Sequence, residues 1–307
     1  MVIFYYKQKH PNHILVYIEE VDLSKGIVIF DFINLDEYVS FQSLIGGGAD
    51  FQHPSMIELK NYRGKRIFEN TVYAMLPETI GAWMIHGPLT RDENDSYLIG
   101  YRVSLQETND KVFDSSVTVS IGEKIDRPTK YFNIPLNCAG KVTVQVRNVK
   151  QGSWNEVCSE DRPVLIFDLG TCTNASKSEI AQLIESRTDI YESSKPVLIL
   201  SHWDKDHYHC LLGMNESQLA THFRYFVCRD ALPNLTSQNL FNKIANALGS
   251  TKVFSIPAFH KKRLRKALQN SLASLIQTPK WFYTMPSKAG TEIFPVLQCQ
   301  LRLQIIL

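Results

Sequence analysis

The stretch Val197-Leu198-Ile199-Leu200-Ser201-His202-Trp203-Asp204-Lys205-Asp206-His207 decides how the chain is read. Residues 197–200 are apolar and read as a buried strand, which stops at Ser201. His202, Asp204, Asp206 and His207 then arrive within six positions. A strand delivers the chain to one edge of a sheet, and a tight loop beyond that edge can turn these four side chains towards a shared point. Imidazole and carboxylate together suit a divalent cation. No other stretch packs the two so densely.

On either side of the motif the sequence alternates between strands and helices. Val142, Val144 and Val146 alternate with Thr143, Gln145 and Arg147, the pattern of a half-buried strand. Residues 148–153 are a turn, and residues 163–167 form a second strand that ends in Asp168-Leu169-Gly170. Ser176-x-x-Glu179 is a capping box that opens a helix with Ile180, Leu183 and Ile184 on one face. Beyond the motif, residues 223–228 read as a strand. Residues 233–237 form a turn and cap, and Leu240, Phe241, Ile244 and Leu248 share a helix face that ends at Gly249. Residues 252–257 form one more short strand. This order predicts a layered α/β domain with its site at the strand ends.

A basic helix follows, with Leu264, Leu268, Leu272 and Leu275 on its buried face and Lys261, Lys262, Arg263, Arg265 and Lys266 in its first turns. A charge run of this kind is usually a solvated face. Positive charge at a helix N-terminus opposes the helix dipole, however, so Lys261, Lys262 and Arg263 are also candidate anion contacts.

The first part of the chain reads as mostly strand. Residues 13–18 and 26–32 are rich in β-branched and aromatic side chains with turn chemistry between them, and residues 96–103 and 116–121 continue the pattern. Gly46-Gly47-Gly48 lacks the Lys-Ser/Thr of a phosphate loop, and His53 and His86 are isolated. No catalytic constellation is visible there. The sequence divides into a β-rich accessory domain over 1–140, a candidate surface for a protein partner, and an α/β domain over 141–307.

Composition narrows the class. The chain has 307 residues, 44% of them hydrophobic, and a formal net charge of +2, which is ordinary soluble usage and too little charge to argue for nucleic acid by itself. No signal-peptide pattern and no bilayer-length apolar run is present. The six scattered cysteines read as reduced thiols. Cytoplasm with no membrane partner is the expectation.

His202-x-Asp204-x-Asp206-His207 after an apolar strand resembles the HxHxDH motif of the metallo-β-lactamase-fold hydrolases, with Asp204 in place of the second histidine. This HxDxDH form is similar to the hydrolase domain of ComEC-type DNA-uptake proteins. Residues 144–152 resemble that subgroup's opening strand and glycine turn, and Phe167-Asp168-Leu169-Gly170 its strand-ending Asp-x-Gly. The resemblance covers residues 141–212. It implies an αββα sandwich with one or two divalent ions at the sheet edge, zinc first and manganese as the harder alternative favoured by Asp204. It implies that His202 and Asp204 serve one ion and that Asp206 and His207 serve the other. Asp206 would lie near the attacking water, and Asp168 would brace the loop from behind the ligands. The implied chemistry is hydrolysis by metal-bound hydroxide, whose pKa falls from about 15.7 to about 7 on the ion. The subgroup points to phosphodiesters and hence to nucleic acid as partner. Ester, thioester or lactam hydrolysis and a non-catalytic binding module are the alternatives. The family's downstream Gly-Asp and His-His-Gly ligand motifs have no counterpart here: after His209 only His222 and His260 remain. The expectation is therefore an incomplete sandwich, truncated or frameshifted after its first half.

Overall fold

The computed structural model describes residues 13–44, 55–76, 83–90, 96–105, 112–114, 133–136, 138–256 and 302–304. The fold is mixed α/β, with two mixed sheets and several helices. The expected strand over 116–121, the glycine loop 46–48, His53 and the basic helix with Lys261, Lys262 and Arg263 lie outside the described residues.

The first sheet begins with β1 (Ile14–Asp22) and β2 (Ile27–Phe32), an antiparallel hairpin whose turn needs Gly26 at φ +66°. A helix that the sequence reading did not anticipate, α1 (Leu35–Leu44), follows and buries Tyr38 and Phe41. The remaining strands are β3 (Ile57–Lys60), β4 (Thr71–Met75), β5 (Trp83–Thr90), β6 (Ser96–Leu105) and β7 (Phe113–Asp114). Their spatial order is β5-β6-β3-β2-β1-β4-β7, with β3 and β6 parallel and the other pairs antiparallel. Phe30, Phe32, Phe41 and Phe113 sit in its core. A β-bulge interrupts the β1–β2 register between Ile18 and Glu20, so Glu19 has no partner on β2. Bulges re-aim side chains, and Glu19 is turned towards the second half of the chain.

The short strand β8 (Asn133–Pro135) leads into the second sheet. There β9 (Val142–Val146), β10 (Trp154–Ser159) and β11 (Arg162–Leu169) form an antiparallel meander. Helices α2 (Lys177–Glu185) and α3 (Thr188–Ser194) carry the chain to β12 (Val197–Ile199), which is parallel to β11. Next come α4 (Lys205–Gly213), α5 (Glu216–His222), β13 (Tyr225–Arg229), α6 (Leu235–Leu248) and β14 (Val253–Ile256), with β13 and β14 continuing the parallel run. A last strand, β15 (Arg302–Gln304), pairs antiparallel with β8.

The capping box at Ser176 and Glu179 forms as expected, and Asn234 and Ser237 form another at α6. Ile166, Leu198, Phe226 and Cys228 face the helices, whereas Leu165, Val197, Ile199 and Val227 form a smaller apolar cluster on the opposite face. Two expectations need correcting here. Residues 154–159, to which the sequence reading assigned no element, form β10, paired with β11 on one side and β9 on the other. The valines of β9 do not point inward: Val144 is 66% and Val146 76% exposed, because β9 is the edge strand and no helix among the described residues covers that face of it.

Buried charge ties the second sheet together. Glu156 on β10 is fully buried and accepts from Arg187 at Nε (3.0 Å) and Nη2 (2.6 Å), from Arg147 Nη2 (2.9 Å) and from the Tyr191 hydroxyl. Contacts also join the two sheets. Leu235, the first residue of α6, lies in the core of the first sheet. The next amide, Thr236 N, donates to Asp31 Oδ2 at 2.8 Å, and Gln238 Nε2 donates to the Ile33 carbonyl at 2.8 Å. The described cysteines are free thiols, and no helix among the described residues is long and apolar enough to cross a membrane.

Candidate metal centre

β12 ends at Ile199, and Leu200 N still donates to the Val227 carbonyl (2.8 Å), so the chain leaves the sheet at Ser201. Asp204 is the N-cap residue of α4, and Asp206 and His207 occupy its first turn. A carboxylate in a first turn also complements the helix dipole. Asp168 comes from the end of β11, next to β12, where Phe167 pairs with Ile199. It adopts a left-handed φ of +61°, which Asp tolerates better than most residues.

Asp168 is 1% exposed and organises the loop. Its Oδ1 accepts from Ser201 N (2.7 Å), and its Oδ2 accepts from the Ser201 hydroxyl (2.9 Å) and from His207 Nδ1 (2.8 Å). Burial would raise this carboxyl, but the bonds from His207 and Ser201 outweigh it and hold it below its ordinary range. At His207 burial opposes the charged form, and the hydrogen bond to Asp168 with the charges of Asp168, Asp206 and Asp204 overcomes that, so the imidazole lies above its usual value. Asp206 is raised, by burial first and then by the charge of Asp204.

The hydrogen bonds fix the imidazole tautomers. The Ser201 hydroxyl gives its proton to Asp168, so it accepts from His202 Nδ1–H at 2.8 Å. His207 Nδ1–H donates to Asp168. Nδ1 is thus committed in each ring, and Nε2 is the nitrogen left over: an acceptor in the neutral imidazole and a second donor in the imidazolium. His202 Nε2 lies 3.1 Å from Asp204 Oδ2, and His207 Nε2 lies 3.8 Å from Asp206 Oδ1. The two rings are 3.7 Å apart between centroids. A proton on Nε2 makes each contact an ion pair, and with the rings neutral a bound cation takes the proton's place between lone pair and carboxylate. Two ligands of one tetrahedral zinc, with bonds of about 2.0–2.2 Å, stand roughly 3.3–3.5 Å apart. The donor types and the Nδ1 partners thus fit a divalent ion, because ligating histidines characteristically donate their other N–H to a carboxylate or its equivalent. The donors form two pairs rather than one cluster. Among the described residues no group of three or more His, Cys, Asp or Glu side chains converges to hold an ion.

Backbone packing sets the loop's position. A Cβ on Gly170 would lie 1.6 Å from the Asp206 carbonyl oxygen and 2.8 Å from His207 Cα, so only glycine lets β11 pass this close under α4. Ser153 N donates to that same Asp206 carbonyl (3.1 Å), and a Cβ on Gly152 would meet Thr171 Cα at 2.3 Å. The glycines of the two flanking motifs are close-approach residues.

The first sheet also reaches the loop. Asn70 Nδ2 donates to Asp204 Oδ2 at 3.3 Å, and the Tyr17 hydroxyl donates to Asn70 Oδ1 at 3.0 Å. Glu19 accepts from Asn234 Nδ2, and Thr173 Oγ1 donates to Glu20 Oε2 at 2.8 Å. Lys205 is buried beside these acids, and its Nζ has no hydrogen-bond partner among the described residues. Burial lowers its pKa although Glu19, Glu20 and Asp31 pull the other way, and burial raises Glu19 well above the carboxylate range. Asn70, Tyr17 and Glu19 carry no local sequence signal. Ser201 and Gly170 did, since both lie inside the quoted motifs.

Two neighbours of the motif correct the sequence reading, which puts His209 on the helix surface and makes Trp203 a pocket wall or a face for a base to stack on. His209 is not on the helix surface: it is 1% exposed, and its Nδ1 lies 2.9 Å from the Cys172 carbonyl. Trp203 neither walls a pocket nor offers a stacking face; it is buried against Tyr208 and Phe226 and donates from Nε1 to the Arg229 carbonyl. Comparison with protein-family models, curated proteins and solved structures finds no match to this chain.

Proposed function

We propose that the chain is a metal-dependent hydrolase on a metallo-β-lactamase-type αββα sandwich, acting on phosphodiesters in the cytoplasm. The observation that carries this reading is the pair of imidazoles engaged at Nδ1 by Ser201 and Asp168, with their Nε2 atoms facing Asp204 and Asp206. The second sheet supports it: an antiparallel meander followed by parallel strands and helices suits the first half of such a sandwich. His202 and Asp204 would hold one ion and Asp206 and His207 another, with zinc the first choice and manganese the alternative for so carboxylate-rich a set. A divalent ion supplies Lewis acidity and makes bound water ionisable near neutral pH. Ser201 and Asp168 occupy both Nδ1 atoms and so leave Nε2 of each ring to take the ion in place of a proton. Asp206, raised by burial, is the group suited to take a proton from the attacking water. Lys261, Lys262 and Arg263 would contact the phosphate, and nucleic acid is the substrate class this implies; the choice of phosphodiesters rests on the motif's resemblance and on these basic residues.

The absence of a third converging donor among the described residues favours a second reading, a binding module on a degenerate metal site. Metal content after reconstitution with zinc or manganese separates the two. Bound ions, with turnover of bis-p-nitrophenyl phosphate, single-stranded DNA or RNA, support the hydrolase; no bound ion supports the module. Turnover of p-nitrophenyl acetate or nitrocefin alone moves the enzyme to ester or lactam chemistry. Asp206→Ala is expected to lower phosphodiester turnover about 10²–10⁴-fold, and unchanged turnover refutes the assignment.

A further inference from the structure

We infer that Asn70, in the bend just before β4 of the first sheet, is a positioning residue for this metal centre: its amide aims the Asp204 carboxylate at the ion. The inference rests on the metal reading above. Asp204 occupies an N-cap position, where an Asp side chain ordinarily accepts from the helix's own first amides. Here it makes no such bond. Its Oδ2 is turned instead to His202 Nε2 (3.1 Å) and to Asn70 Nδ2 (3.3 Å). Nothing on its own helix fixes the carboxylate, and a group from the other sheet does.

Asn70 is itself held in place. Its backbone N donates to the Ile18 carbonyl (2.8 Å), at the point where Ile18 pairs with Thr71. Its φ of +56° is one that asparagine tolerates and most side chains do not. The Tyr17 hydroxyl decides which way the amide faces. It donates to Oδ1, which leaves the NH₂ group for Asp204. Tyr17 is 4% exposed, so this donor cannot swing into solvent. Burial, helped by the charges of Glu19 and Asp204, raises the phenol far above its usual value and keeps its proton in place. The chain Tyr17–Asn70–Asp204 therefore runs in one direction of donation, from a fixed phenol to a candidate ligand. Outer hydrogen bonds of this kind typically change metal affinity by 10–100-fold.

Cobalt(II) is the probe, used on the full chain, with affinity measured against a competing chelator, the visible spectrum recorded, and urea unfolding followed in parallel. Asn70→Gly removes the amide and keeps the backbone conformation accessible. It is expected to weaken cobalt binding roughly tenfold or more and to shift the visible bands. Tyr17→Phe removes only the hydroxyl and is expected to weaken binding less, in the same direction. Thr173→Val deletes another bond between the sheets, to Glu20, without touching Asp204. It is expected to lower the urea midpoint and leave affinity and spectrum unchanged. Wild-type affinity and spectrum in Asn70→Gly overturn the inference while leaving the metal centre standing. So does an equal loss of affinity in Thr173→Val, which would make Asn70 a mere interface contact. A wild-type chain that binds no cobalt overturns both.

Discussion

Replacing Asp168 by Asn tests the hub of the loop with almost no change of shape. Asn tolerates the φ of +61°, so the backbone is not strained. The wild-type carboxylate accepts from Ser201 N, the Ser201 hydroxyl and His207 Nδ1. Asn keeps one acceptor and turns an NH₂ group towards donors. Hydrogen bonds to charged groups contribute about 1.5–3 kcal/mol each, and a stranded buried donor costs about 1–3 kcal/mol. With partial relaxation the substitution is expected to cost about 2–4 kcal/mol, roughly a 30- to 1,000-fold change in the folding equilibrium. The cost depends on pH. His207 is raised in the folded state, so its contribution is complete below the unfolded histidine pKa and is lost as pH rises through the folded value. Asp168 is lowered, so its contribution is complete above the unfolded aspartate pKa and is lost as pH falls through the folded value. The difference between wild type and variant should be largest between about pH 4 and 6.5 and shrink above that. Urea unfolding of the metal-free chain across this range, with NMR titration of the His207 ring, makes the measurement. The His207 titration should move down in the variant, because burial is then opposed only by the charges of Asp206 and Asp204. An unchanged urea midpoint, or a His207 titration point that does not move, refutes the hub.

Two further outcomes follow from packing. Gly170→Ala places a methyl group inside the Asp206 carbonyl, and overpacking against backbone costs about 3 kcal/mol or more; the variant should unfold at markedly lower urea, and a wild-type midpoint would show that β11 and α4 are not in contact. Glu156→Ala leaves Arg187 buried without its bidentate partner, for an expected loss of about 3–5 kcal/mol, and calorimetry showing no drop in Tm would contradict the buried network.

What could be read from the sequence was chemistry confined to a few neighbouring residues. Ser176 with Glu179, and Gly249 at φ +81°, mark helix ends through bonds or conformations that are local by nature. The buried face of α6, with Leu240, Phe241, Ile244 and Leu248, follows from helical period alone. The ligand loop belongs to the same class, since its donors span six residues. β10 carries no such local signal: its mid-strand Glu156 is buried because Arg147 and Arg187, the latter 31 residues on, neutralise it. Alternation at Val142, Val144 and Val146 gave the strand but not its direction, which depends on what covers each face. The link from Asn70 to Asp204 spans 134 positions, and no periodicity or spacing encodes it.

The start of α6 has a consequence for how the protein is made. Leu235 completes the apolar interior of the first sheet, and Asp31 waits on the amide of Thr236. At synthesis rates of about 5–20 residues per second, the interval between Asp114 and Leu235 lasts on the order of ten seconds. Throughout that time the nascent first sheet lacks one member of its apolar cluster, and Asp31, which already accepts from Phe32 N, lacks the amide of Thr236. Its folding cannot finish on the schedule of its own strands. Its last packing contacts form only once the start of α6 has been made.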